Sequence, residues 1–153
     1  MASLSIREAA LEDEQQLLRM MRLLAEQEPG KIQFDEAVAR ETFRKFLSLP
    51  AFGRVWILGE GSTIVGYIVL TIGFSFEFQG HDAFIDELYI DSAFRRRGYG
   101  RQAVAFLEEQ AREMGVHAVH LEVDRGNGAA FELYRREGYH DHGRFLMTKW
   151  LNR

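Results

Sequence analysis

The chain has 153 residues, of which 46% are hydrophobic, and 19 basic side chains stand against 23 acidic ones for a formal net charge of −4. That size and apolar content suit one compact domain with its own core, and the acidic balance argues against a general nucleic-acid binder. There is no cysteine, which excludes a disulfide framework, a thiolate zinc site and a cysteine nucleophile and fits a reducing compartment such as the cytoplasm.

No apolar run approaches bilayer-spanning length, and Met1 to Arg7 lacks the basic-then-apolar layout of a signal peptide. Neither repeat nor linker is visible, so 1–153 is expected to be a single domain. Leu4 to Arg7 reads as a short strand. From Glu12 to Gln27, Leu17, Met20, Met21 and Leu24 recur at helical spacing, and Pro29-Gly30 should stop that helix. Asp35 can cap a second helix with Val38, Phe43, Phe46 and Leu47 inward, ending before Pro50. Arg54 to Leu58 reads as a strand, Glu60-Gly61-Ser62 as a turn, and Thr63 to Phe78 as a long apolar strand covered on both faces. Ala83 to Ile90 is the next strand. Beyond an arginine-rich loop, Tyr99 to Met114 is a helix with Val104, Leu107, Ala111 and Met114 on one stripe. Ala118 to Val123 reads as a strand, Gly128 to Glu137 as a short helix and Phe145 to Leu151 as a last strand. The sum is an α/β fold with a mixed sheet, its strand–helix–strand second half implying a parallel crossover.

The stretch from Ile90 to Gly100, Ile-Asp-Ser-Ala-Phe-Arg-Arg-Arg-Gly-Tyr-Gly, carries the clearest chemistry. It joins a strand end to a helix start. Glycines there let backbone N–H groups crowd around an anion, and the helix terminus adds partial positive charge. Arginines at the rim suit phosphate. A phosphorylated cofactor is therefore expected. Gly98-x-Gly100-x-x-Ala103 also matches a dinucleotide fingerprint, with Glu122 near the acidic position. Against it, a long loop separates strand from glycines, and too little chain follows for a second mononucleotide half.

The sequence resembles the GNAT superfamily of acyl-CoA-dependent N-acetyltransferases. Arg95-Arg96-Arg97-Gly98-Tyr99-Gly100 fits its Arg/Gln-x-x-Gly-x-Gly/Ala signature, and Glu87-Leu88-Tyr89-Ile90 is similar to its fourth strand. Leu121-Glu122-Val123, Asn127, Leu133-Tyr134 and Gly138-Tyr139 follow in the family's order. Ile6-Arg7-x-Ala9 with Asp13, Ile64-Val65-Gly66-Tyr67 and Met147-x-Lys149-x-Leu151 extend the likeness over nearly the whole chain. The resemblance implies a single-domain GNAT-like sandwich with helices on both faces of its sheet and acetyl-CoA as co-substrate. It implies that backbone groups of Leu88 and Ile90 bind pantetheine, and that N–H groups of Arg96, Arg97, Gly98, Gly100 and Arg101 hold the pyrophosphate with Arg95 at the signature's head. Asn127 would touch the cofactor, although it also suits a helix N-cap. Tyr134 would protonate the departing thiolate, its phenol pKa near 10 being suited to that task.

The amine must lose a proton before it attacks. Asp86 and Glu87 are the candidate bases; adjacent on a regular strand, they face opposite ways unless a bulge intervenes. Asp86 matches the base of diamine-type members, one methylene shorter, and is preferred to Glu87, a bulge exchanging the two roles. Glu26, Glu28, Asp35 and Glu36 add acidity where the family shapes its acceptor site, which suits a small cationic amine such as a polyamine, an amino-acid derivative or an aminoglycoside. A protein amino terminus or lysine is the alternative acceptor, and a non-catalytic acyl-CoA sensor is the alternative to an enzyme. Phe74, Phe76 and Phe78, taken as alternating on one strand, could wall a pocket or a homodimer contact. His117, His120, His140 and His142 lack metal-ligand spacing, so no metal is expected.

Overall fold

A computed structural model describes residues 2–28 and 33–152. The chain divides into two compact units, Met1–Leu121 and Glu122–Arg153. The first holds β1 (Leu4–Glu8), α1 (Glu14–Glu26), α2 (Glu36–Ser48), β2 (Gly53–Glu60), β3 (Thr63–Ser75), β4 (Gly80–Ile90), α3 (Tyr99–Glu113) and β5 (Ala118–His120). The second holds α4 (Gly128–Arg136). The five strands form one sheet in the order β1-β2-β3-β4-β5. Its first four strands are antiparallel neighbours, and β4 pairs with β5 in parallel. The α3 crossover accounts for that parallel pair, because only a long connection returns a strand in the same direction.

Alternation along the strands divides the core in two. On one face Val55, Ile57, Tyr67, Val69 and Tyr89 pack with Leu17 and Met20 of α1 and Phe43 of α2. On the other, Trp56, Leu58, Ile68 and Leu70 are buried, and the Trp56 ring meets Phe106 of α3 edge-on at 5.5 Å. Leu107 on the inner stripe of α3 is 0% exposed, worth about 1.5–3 kcal/mol of transfer free energy. Helices on both faces explain why β3 is buried without interruption from Val65 to Leu70. The entry to α2 is fixed by Asp35, whose Oδ1 accepts from the Val38 N–H at 3.1 Å.

Several expectations need correction. Val38 is 53% exposed; it lies five residues from Phe43, about 140° round the helix from the inward stripe. β3 stops at Ser75, which pairs with Gly80 across the hairpin, so Phe76 and Phe78 occupy a turn and do not alternate on a strand with Phe74. β5 ends at His120 instead of Val123, since only Asp82 to Phe84 of β4 pair with it. No strand forms over 145–151. Phe145, Leu146 and Met147 are consecutive apolar residues, which gives no single apolar face, and a strand without a ladder partner has little stability of its own. Pro29-Gly30, expected to stop the first helix, lie outside the described residues. Among those residues no helix is long and apolar enough to cross a membrane.

Candidate active site

The crossover from β4 to α3 is built to leave N–H groups unclaimed. After β4 the chain makes a short 3-10 turn, Ser92–Phe94. Arg96 then takes φ 63° and Gly98 φ 79°, both left-handed. For arginine this costs about 1–2 kcal/mol. Turns that carry such left-handed residues can aim successive N–H groups into one concavity, an anion-binding form. Gly98 is also the N-cap of α3 and supplies no capping side chain, so the first turn of the helix keeps its donors and its positive end for a ligand.

The arginines divide their work. Arg95 donates from Nε to the Ile90 carbonyl at 2.8 Å and lies over the Tyr89 ring. Arg97 pairs with Glu60 at 3.0 Å and covers Phe94. Tyr99 donates to the same Glu60 carboxylate, which ties the start of α3 to the end of β2 and holds the phenol pKa of Tyr99 above its usual value. Arg96 is exposed; of the three loop arginines, Arg97 is the one held in an ion pair.

Alongside the loop runs an open backbone edge. The Asp91 N–H donates to the Val65 carbonyl at 2.7 Å, so by antiparallel alternation Tyr89 also turns its polar groups to β3. Leu88 and Ile90 therefore turn theirs the other way, toward the side on which β5 pairs only with Asp82 to Phe84. An open cleft of about 240 Å³ is lined by Gln27, Leu88, Tyr89, Ile90 and Arg95. It joins the end of α1, the free edge of β4 and the loop.

The carboxylates lie just upstream, at a bulge. Val69 pairs with Glu87 and Leu70 with Ile85, leaving Asp86 as the extra residue. Glu87 thus shares the face of Val69 and Tyr67, beneath α1 and α2, and is half-buried, whereas Asp86 is exposed. The Tyr67 hydroxyl donates to Glu87 Oε1 at 2.9 Å. Burial raises the Tyr67 pKa strongly, and the charges of Glu87, Glu28 and Asp86 raise it further. Next to it the Tyr89 hydroxyl donates to Asp91 Oδ1 at 2.8 Å, while Asp91 Oδ2 meets Arg19 of α1 at 3.3 Å.

In the second unit Asn127 caps α4, its Oδ1 accepting from the Ala130 N–H at 3.1 Å. Tyr134 is half-buried, and burial holds its pKa above the usual value. Its ring meets Tyr139 edge-on at 5.8 Å, and the Tyr139 N–H donates to the Tyr134 carbonyl at 3.0 Å. Gly138 supplies the positive φ, 99°, that ends the helix.

Residues 17–139 match the profile of the Acetyltransferase (GNAT) family. The chain belongs to the GNAT family of acetyltransferases. A thialysine N-epsilon-acetyltransferase from Sus scrofa is 31% identical over 92% of this chain and 86% of its own length. Among solved structures, an integron cassette protein from the Cole Harbour salt marsh metagenome is 30% identical, with a TM-score of 0.83 over 97% of this chain and 91% of its own. A possible acetyltransferase from Clostridium difficile, 20% identical, shares the fold with a TM-score of 0.82 over 97% of both chains.

As a GNAT enzyme the protein is an N-acetyltransferase dependent on acetyl-CoA, which displaces the dinucleotide reading of the glycine loop. The structure brings Leu88, Ile90 and Arg95 to one cleft and carries Arg96, Arg97, Gly98, Gly100 and Arg101 on the adjoining loop and helix start. Within the acidic group, Asp35 caps α2, and Glu36 pairs with Arg22 and Arg40. Sequence reasoning missed Tyr67, Gln27 and Tyr89. Tyr67 sits in an apolar run that reads as plain core, and only strand register shows that its hydroxyl meets Glu87.

Proposed function

We propose that the protein acetylates the primary amine of a small cationic molecule by direct attack on acetyl-CoA, with no acetyl-enzyme intermediate. The observation that carries this reading is a half-buried carboxylate, Glu87, held one residue before an open β4 edge that leads into an anion-binding loop. Pantetheine would run along the polar groups of Leu88 and Ile90. The pyrophosphate would sit on the N–H groups of Arg96, Arg97, Gly98, Gly100 and Arg101, with the Arg96 guanidinium available to pair with phosphate. Asn127 would contact the cofactor through groups its capping bond leaves unused.

The amine arrives protonated, since alkyl ammonium pKa values lie near 10. Glu87, directly or through a water, takes that proton; the nitrogen lone pair attacks the thioester carbonyl carbon, and the C–S bond breaks as the amide forms. Tyr134, kept protonated by burial, gives its proton to the departing sulfur. Glu87 is half-buried and held by Tyr67, whereas Asp86 is exposed, so Glu87 is assigned the proton and Asp86 an electrostatic part in drawing the cation in. The relative that acts on thialysine supports an acceptor with an amine on a short aliphatic chain, as do the carboxylates of Glu28 and Asp86 near Glu87. The absence of cysteine supports a cytoplasmic setting.

The test is thiol release from acetyl-CoA against a panel of thialysine, lysine, polyamines, aminoglycosides and a lysine-bearing peptide. Turnover with the small cations above the peptide is expected. Turnover with the peptide alone would move the acceptor to proteins. Acetyl-CoA binding without thiol release for any amine would make the protein a sensor.

A further inference from the structure

We infer that Tyr67 is a positioning residue for Glu87, the buried donor that fixes this carboxylate's orientation and keeps it ionised at the pH of turnover. The inference rests on the reading of Glu87 as proton acceptor. Its basis is geometric. Tyr67 is 0% exposed and donates to Glu87 Oε1 at 2.9 Å from the neighbouring strand. Its ring cannot swing away, because it is packed among Leu17, Met20 and Phe43 and lies 6.1 Å from the ring of its register partner Tyr89. The backbone beneath is equally fixed. A Cβ on Gly66 would stand 2.1 Å from the Tyr89 carbonyl oxygen, so glycine at this position lets the two strands close up and sets Tyr67 opposite Tyr89.

The charged surroundings favour such a donor. Glu28, after α1, and Asp86, on β4, both act on this site with negative charge, which disfavours a further carboxylate. The other phenol here, Tyr89, spends its hydroxyl on Asp91, and Asp91 holds Arg19 of α1. α2 presents the apolar Phe43, Phe46 and Leu47. The Tyr67 hydroxyl thus offsets two like charges. Burial holds its pKa above the usual phenol value, so it remains a donor at neutral pH.

Tyr67→Phe retains the ring and removes the donor. In the full chain the expected results are unchanged thermal stabilisation by acetyl-CoA, turnover lower by about tenfold, and an acidic limb of the kcat/KM profile moved up by about one pH unit. Added to Glu87→Gln, the substitution should lower the rate no further, because the group it serves is gone. Glu87→Asp, which keeps the charge but retracts it from the hydroxyl, should move the limb the same way and so tests the contact without disturbing the core. An unmoved limb in Tyr67→Phe and Glu87→Asp, or an undiminished effect of Tyr67→Phe in the Glu87→Gln background, overturns the inference while leaving Glu87 as base. Full turnover of Glu87→Gln with an unmoved limb overturns the base assignment itself, and the inference with it.

Discussion

Gly98→Asp separates the loop's structural role from its ligand role. Gly98 lies at φ 79°, ψ 10° as the N-cap of α3, and a Cβ added there meets nothing closer than Gln102 Nε2 at 3.8 Å. No clash follows, and the cost is one left-handed L-residue, about 1–2 kcal/mol. Aspartate tolerates that region better than most residues, and a carboxylate at a helix N-terminus returns about 0.5 kcal/mol. The variant should therefore lose only about 1 kcal/mol, or about 2–4 °C in Tm. Its effect on CoA is much larger. Like charges about 4 Å apart repel by about 4 kcal/mol at an effective dielectric near 20; on an exposed loop roughly half of that survives screening, which weakens Kd about thirtyfold. Gly98→Asn makes the same backbone demand without the charge and should bind CoA within about threefold of wild type. Calorimetric titration of CoA into the three proteins reads the difference directly. Equal affinities for the Asp and Asn variants would show that no pyrophosphate sits at this helix start.

Tyr134→Phe should lower turnover at least about tenfold, within the range of general-acid catalysis, with acetyl-CoA affinity little changed in the same titration; undiminished turnover where chemistry limits the rate removes Tyr134 from the mechanism. Gly66→Ala forces a Cβ to 2.1 Å from the Tyr89 carbonyl oxygen and should cost about 3 kcal/mol by overpacking, visible as a lower urea midpoint at unchanged slope. Leu107→Ala should cost about 2–5 kcal/mol by the same assay, since its site is fully enclosed and leaves a cavity. Asp13 is held below the usual carboxylate range by its hydrogen bonds from Arg7. A depressed folded-state pKa stabilises above the unfolded value and is lost as pH falls through the folded one, so wild type should lose stability below about pH 4 more steeply than Asp13→Asn.

Helices α1 and α3 and their inward stripes were legible because 3.6-residue periodicity is local: Leu17 and Met20, or Val104, Leu107 and Ala111, declare a face without knowledge of any partner. The place of the loop was legible for the same reason, since the strand end at Ile90 and the helix start at Tyr99 are both marked by local sequence. What depends on pairing was not. The Asp86 bulge resets which residues before it share a face with Tyr67, and no property of Phe84-Ile85-Asp86-Glu87-Leu88 marks it, because a bulge is a relation between two strands. Phe74, Phe76 and Phe78 show the converse: the spacing is period two, but the chain turns after Ser75, and spacing alone cannot distinguish a strand from a hairpin that interrupts it. The 145–151 segment failed as a strand because propensity without a partner does not make a ladder.

In the proposed reaction one acetyl group passes from the cofactor sulfur to an amine nitrogen without resting on the protein. Isotope-labelled acetyl-CoA, an accepted amine and the enzyme, followed by mass spectrometry of both the small molecules and the intact protein, test it in one experiment. Label on the amine, free CoA in equal amount and a protein of unchanged mass at every time point are the predicted result. Labelled protein formed before labelled amine, or free acetate in place of acetylated amine, would contradict it.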